Sequence, residues 1–230
     1  MERGYETDAG TGGVGRNDGA MDWEAFADVY AFVGNSLLTP MARTSDVGLS
    51  PSFWSAFPFA EWPEAQDALK RLAAFAKAAS AKDHAQAVQD CSVEFTRLFV
   101  GPPKPAAPPW ETFYRADGVT AGFGQATFAM RQRLRDAGLE LRNENNQYED
   151  HMGIELLYLS WMCRQVLEGG GSVQASDARS FALAHPLAWI GRFRDAVGKA
   201  SPDGYFHALV DLASCLLEAQ VSRLSPKAEM

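Results

Sequence analysis

Apolar side chains recur along most of this chain at the three- and four-residue spacing of helices with one buried face. From Asp22, whose carboxylate suits a helix N-cap, Phe26, Val29, Tyr30, Val33 and Leu37 fall on one side. Ser50-Pro51 offers a capping hydroxyl and a proline at the first helical position, which predicts a short apolar helix ending near Pro58. An alanine-rich helix is predicted over 64–79, with Leu69, Leu72 and Phe75 inward. Asp83 can cap the next one, whose stripe is Val88, Cys91, Phe95, Leu98 and Phe99. Further helices are predicted over about 120–137, 150–168, 177–199 and 203–222. No stretch alternates apolar and polar residues between Asn-Gly or Asp-Gly turns, as hairpin strands would. The pattern predicts an all-α, multi-helix, bundle-like globule without internal repeats.

Two segments interrupt it. Five prolines in the ten residues from Gly101 to Trp110 remove backbone donors and fix φ, so a stiff extended loop must follow the Phe99 helix. The polar run 139–148 divides the helices into two blocks, with candidate subdomains at 21–140 and 147–225. Glycines 169–171 form a looser turn. Residues 1–20 hold six glycines and few large apolar side chains, so they are expected to be a disordered tail. Gly10-x-Gly12-x-x-Gly15 lies in that tail without the preceding strand and following helix that give the pattern its phosphate-binding meaning.

Composition narrows the function classes. With 21 Lys and Arg against 29 Asp and Glu, a net charge of −8 argues against a general nucleic-acid binder. Half of that excess falls within 140–155, where Glu140, Glu144, Glu149, Asp150 and Glu155 face a single base, Arg142. A cationic partner fits such a segment. The longest apolar run, 152–163, is shorter than the roughly 20 residues that span a bilayer and contains Glu155. No secretory h-region follows the N-terminal charges. Cys91, Cys163 and Cys215 are scattered, as reduced thiols in a cytosolic protein are. A soluble cytoplasmic protein without stable membrane insertion is expected.

Three constellations carry candidate chemistry. The first joins Phe95, Leu98 and Phe99 to Pro109, Trp110 and Tyr114 across the proline loop. Rigid aromatic surface on pre-ordered backbone suits peptide recognition, because little conformational entropy remains to be lost on binding. Helical apolar stripes are usually core, however, and the residues alone favour that plainer reading. The second is Gln147-Tyr148-Glu149-Asp150-His151, with Glu155 one turn later on an otherwise apolar helix. Asp150 and His151 suit a helix start, and Glu155 needs a buried partner, for which His151 is placed at i−4. The same pair could share a metal, although a di-iron bundle needs further Glu-x-x-His sets. In the third, His185, Trp189 and Phe193 share a face that is either a docking surface or, more economically, core. No G-x-S-x-G, P-loop or spaced Cys–His pair supports nucleophilic catalysis.

Phe95-x-x-Leu98-Phe99-Val100-Gly101-Pro102, then Pro108-Pro109-Trp110 and Tyr114, resembles the signature of the TorD/DmsD/NarJ family of redox-enzyme maturation chaperones. Asp150-His151 with Glu155 resembles the family's second signature, and His185 with Trp189 a third, over residues 22–222. Tyr148 stands where the family usually has proline. The resemblance implies an all-helical cytoplasmic chaperone, not an enzyme, with no cofactor of its own. Its partners would be the twin-arginine signal peptide and the body of a molybdenum-dependent oxidoreductase subunit, whose export waits for cofactor insertion. By position, Leu98, Phe99, Pro109, Trp110, Tyr148, Asp150 and His151 correspond to signal-peptide residues. Leu98, Phe99, Pro109 and Trp110 are then expected to line an apolar groove, with Glu149 and Asp150 attracting the arginines. The competing readings are a chaperone of a client that is never exported, a metal-dependent helical-bundle enzyme using His151 and Glu155, and a plain helical adaptor. A monomer and a hinge-swapped homodimer are both compatible with the polar joint.

Overall fold

The computed structural model describes residues 21–115, 123–141, 147–169, 171 and 173–225; the proposed tail with its glycine motif, and 142–146 of the polar joint, lie outside them. Among the described residues the elements are α1 (Trp23–Leu38), α2 (Pro51–Ser55), α3 (Pro63–Ala79), α4 (His84–Phe95), α5 (Glu111–Arg115), α6 (Gln125–Asp136), α7 (Met152–Glu168), α8 (Ala175–Ala184), α9 (Pro186–Ala200) and α10 (Tyr205–Arg223). The fold is all-α. Asp22 and Asp83 accept the amides of Ala25 and Gln86, each at 3.0 Å, and so start α1 and α4 as their positions predict. Ser50 does not cap α2, because its hydroxyl is engaged with Ser52 at 2.8 Å.

The helix predicted over 177–199 is two. Proline disfavours helical backbone at the residue before it, and His185, preceding Pro186, sits at φ −118°, ψ −94°. This break turns α9 away from α8 and leaves the His185 ring facing inward. Short α5, missed between the proline loop and 120–137, is held by long-range bonds, not by a periodic stripe of its own.

α7 is the central element, with α1 laid along it and α8 beside it, while α10 packs between α3 and α9. The run 152–163 is buried helix, and among the described residues no helix is long and apolar enough to cross a membrane. One cluster of buried side chains draws Phe26, Leu72 and Phe99 from before the polar joint and Leu159, Trp189 and Leu216 from after it. The two blocks therefore share a core in this structure.

α1 and α7 meet at glycines. A Cβ on Gly153 would lie 2.6 Å from the Gly34 carbonyl oxygen, and one on Gly34 would lie 2.8 Å from that of Gly153. Nearby, the Ser160 hydroxyl donates to the Ala27 carbonyl at 2.7 Å, and Tyr30 donates to Gln220 of α10 at 3.0 Å. Gly153→Ala must push the helices apart; overpacking of this kind typically costs about 1–3 kcal/mol. A urea titration monitored by far-UV circular dichroism should show a midpoint lowered to match, and an unchanged midpoint would mean the crossing has slack.

α4 does not stop at Phe95 but widens into one π-turn, Thr96–Val100, closed by the Gly101 amide on the Thr96 carbonyl at 2.8 Å. Gly101 has φ +99°, and a Cβ there would meet the Lys104 backbone at 2.8 Å, so glycine is required. The chain then folds back. Ala106 and Ala107 donate to the carbonyls of Arg97 and Leu98 at 3.2 and 2.8 Å, satisfying groups that the end of a helix leaves open.

Candidate functional site

The loop and the start of α7 are joined by main chain. Met152 donates to the Pro109 carbonyl at 2.9 Å and Glu111 to the Asp150 carbonyl at 2.9 Å, with Trp110 and His151 as an antiparallel bridge between them. Sequence positions 40 residues apart thus form one small ribbon, whose side chains stand to its two faces.

Asp150 anchors this ribbon. Its side chain is fully buried, and its two oxygens take three donors: the Thr112 amide at 2.9 Å, the Thr112 hydroxyl at 2.6 Å and the Thr127 hydroxyl at 3.0 Å. Burial pushes its pKa up, and the threonine hydrogen bonds oppose that rise. α5, α6 and α7 therefore meet on one carboxylate. His151 is the N-cap of α7: its Nδ1 accepts the Gly153 amide at 3.0 Å, and burial pushes its pKa down to about 3. A neutral ring is what the cap needs, since a protonated Nδ1 could not accept.

Beneath the ribbon lies a second buried network. Glu155 accepts the Trp189 indole N–H at 3.0 Å. Glu111 accepts Arg115 Nε at 2.6 Å on one oxygen and faces His185 Nδ1 at 2.9 Å on the other. Arg133 Nε donates to His185 Nε2 at 3.1 Å, which leaves the Nδ1 hydrogen for Glu111. The second oxygen of Glu155 has no donor from the protein and confronts the Glu111 carboxylate. Burial first, and then the Glu111 charge, raise the Glu155 pKa well above its ordinary value, which favours the protonated acid facing Glu111. On Glu111, burial is outweighed by the hydrogen bonds from His185, Glu155 and Arg115, which hold its pKa low.

These contacts correct several expectations. His151 is not the partner of Glu155; Glu111 and Trp189 are, because α5 brings an acid against α7 that spacing along the chain cannot reveal. Ligand atoms of Glu111, Glu155 and His185 lie within 4.8 Å of one another. Both His185 nitrogens are already engaged, however, and the guanidinium groups of Arg115 and Arg133 oppose a dication there. Leu98 and Phe99 do not line a surface groove. They are core, as is Phe95, and Phe99 packs edge-on against Phe206 at 5.2 Å. Pro109 is buried as well. Trp189 and Phe193 are core and form no docking face. Asp150 cannot meet an incoming arginine, since burial and the two threonines occupy it. The acid-rich segment is thus far less acidic to a partner than its composition suggests: Asp150 and Glu155 are interior, and Glu149 is paired with Arg131 at 2.6 Å.

Four of the expected residues reach the surface: Trp110, Tyr114 and Glu149 in part, and Tyr148, which is 39% exposed. Tyr114 stacks on Trp189 at 5.4 Å, and neither its hydroxyl nor the Trp110 indole N–H has a hydrogen-bond partner. Tyr148 stands edge-on to Trp110 at 6.0 Å and beside Phe123 at 5.5 Å. Phe123, 42% exposed, and Phe128, 53% exposed, extend the aromatic surface. Neither phenylalanine, nor Arg131, belongs to the constellations expected from the sequence. One signal was present: α6 buries Thr127, Met130 and Leu134, and Phe128 lies off that stripe. Such a residue alone is ordinary; with Phe123 beside it and Tyr148 beside Phe123, Phe128 belongs to a contiguous apolar patch of the kind that marks a partner's surface.

Comparison with known proteins gives concordant matches. The family model of the nitrate reductase delta subunit matches residues 60–195. The chain is 31% identical over 158 residues to the Tat proofreading chaperone DmsD of Salmonella typhi, covering 69% of this chain and 70% of the relative. It is 23% identical over 121 residues to a probable Tat proofreading chaperone DmsD of Haemophilus influenzae, covering 53% and 55%. The chaperone protein TorD of Vibrio cholerae is 24% identical over 141 residues, covering 60% and 63%.

Proposed function

Because the chain belongs to the TorD/DmsD/NarJ family of redox-enzyme maturation chaperones, we propose that it is a Tat proofreading chaperone. It binds the twin-arginine signal peptide of a molybdenum-cofactor oxidoreductase subunit in the cytoplasm and withholds that peptide from export until the cofactor is in place. The observation that carries the proposal is the aromatic ledge Trp110–Tyr148–Phe123, half-buried at Trp110 and exposed at Tyr148 and Phe123, seated on backbone already fixed by the ribbon and by Asp150. A signal peptide has a cationic segment and an apolar one. The ledge offers the apolar segment rigid aromatic surface, and Glu149 at its rim is the carboxylate nearest to hand. Rigid aromatic anchors are the residues that dominate such interfaces.

Titration of a synthetic twin-arginine signal peptide into wild type and Trp110→Ala tests this. Truncating an aromatic hot spot costs about 2 kcal/mol or more, roughly a thirtyfold loss of affinity. Equal affinities would remove the ledge from the binding site.

A further inference from the structure

α6 turns Phe128 and Arg131 outward, one turn apart, toward Phe123 and Glu149. The Arg131 guanidinium lies 5.9 Å from the Phe123 ring centre and 5.8 Å from that of Phe128. Its Nε and one terminal nitrogen meet the two oxygens of Glu149 at 2.6 and 3.1 Å. Two aromatic faces and a bidentate carboxylate are what recognition of a guanidinium requires, as distinct from an ammonium. Both rings are exposed, so this cage sits at the surface, continuous with Tyr148 and the ledge.

We infer that the cage formed by Phe123, Phe128 and Glu149 is the receptor for one arginine of the client's twin-arginine pair, and that Arg131 holds it as an internal stand-in until the peptide arrives. This rests on the signal-peptide reading above and specifies how that site is occupied. Charge dictates exchange and not addition. Glu149 is one carboxylate already facing Arg131, with Arg135 acting on it too, and a further guanidinium on top of these would be repelled. The peptide arginine must displace Arg131, which then swings to solvent. Affinity is thereby held below what the bare cage would give, and release of the client is assisted by a group always at hand.

The test is calorimetric titration of a twin-arginine signal peptide and its Lys-Lys counterpart into variants whose melting curves match wild type. Arg131→Ala should bind the twin-arginine peptide about two- to tenfold more tightly, the span of an exposed ion pair with a cation–π contact. Arg131→Lys should also bind it more tightly than wild type, since lysine keeps the charge but fits the cage less well. Glu149→Gln and Phe128→Ala should weaken binding by a similar factor and reduce the preference for Arg-Arg over Lys-Lys. Wild-type affinity in Arg131→Ala, or an undiminished Arg-Arg preference in Glu149→Gln, would overturn the inference. Arg131→Lys matching wild type would reduce Arg131 to simple repulsion and overturn the stand-in. Trp110-dependent binding indifferent to 131 and 149 removes only this inference, whereas no binding by wild type or any variant removes the signal-peptide reading with it.

Discussion

Asp150→Ala is expected to be the most damaging single change in the candidate site, lowering the melting temperature by about 6–20 °C. The side chain is fully buried and takes three donors from Thr112 and Thr127. Alanine leaves an amide and two hydroxyls in the interior without their acceptor. Each buried donor left without an acceptor typically costs about 1–3 kcal/mol, so three of them, partly relaxed, cost about 3–5 kcal/mol, and each kcal/mol is worth about 2–4 °C in a chain of this size. Asp150→Asn, which keeps one carbonyl acceptor but points an NH2 at a donor, should fall between. Thermal melts followed by circular dichroism decide it: a midpoint within about 2 °C of wild type would mean that α5 and α6 are held without the hub.

Glu155→Gln should make the protein more stable at pH 8 while leaving it almost unchanged at pH 5. The folded chain keeps a proton on Glu155, whereas the unfolded chain releases it near 4.5. At Glu155 the folded state therefore binds more protons, and this group's contribution to stability falls as pH rises from there toward the folded pKa, by about 1.4 kcal/mol per pH unit within that window. The groups facing Glu155 are Glu111, Trp189 and the charge of Asp150. Glutamine keeps the geometry, its carbonyl toward Trp189 and its amide toward Glu111, and has no proton to lose. Glu111 does not blur the comparison, since its lowered pKa places its own contribution in the acid range below 4.5. Urea midpoints at pH 5, 6.5 and 8 should diverge, the variant gaining on wild type as pH rises, while His151, whose folded pKa is about 3, adds the same rise to both between pH 5 and 6.5. A difference between the two that does not grow with pH would locate the titration elsewhere.

What the sequence disclosed, and what it withheld, follows the range of the interactions. Asp22 and Asp83 were legible as caps because a cap bonds to an amide three residues away. The stripe ending at Leu98 and Phe99 was legible as apolar, and its plainer reading as core is the correct one. Glu155 was legible as an acid in need of a partner, but Glu111 lies on a five-residue helix whose place is set by bonds to Asp150. Counting acids over 140–155 found charge without finding burial, which is decided by Thr112, Thr127 and Arg131 from other elements. Pro186 alone was enough to split the predicted 177–199 helix, and there the periodic apolar pattern on either side masked a strong local signal.

The ribbon between the proline loop and α7 is made by backbone groups at Pro109, Glu111, Asp150 and Met152, and at Tyr148 only the carbonyl takes part, accepting the His151 amide at 3.1 Å. The scaffold is therefore indifferent to what side chain stands at 148, which is why a tyrosine can replace the family's usual proline there. Holding and presenting are separate tasks in this architecture. The side chains of the ledge can change, and with them what it grips, without a hydrogen bond of its foundation being lost.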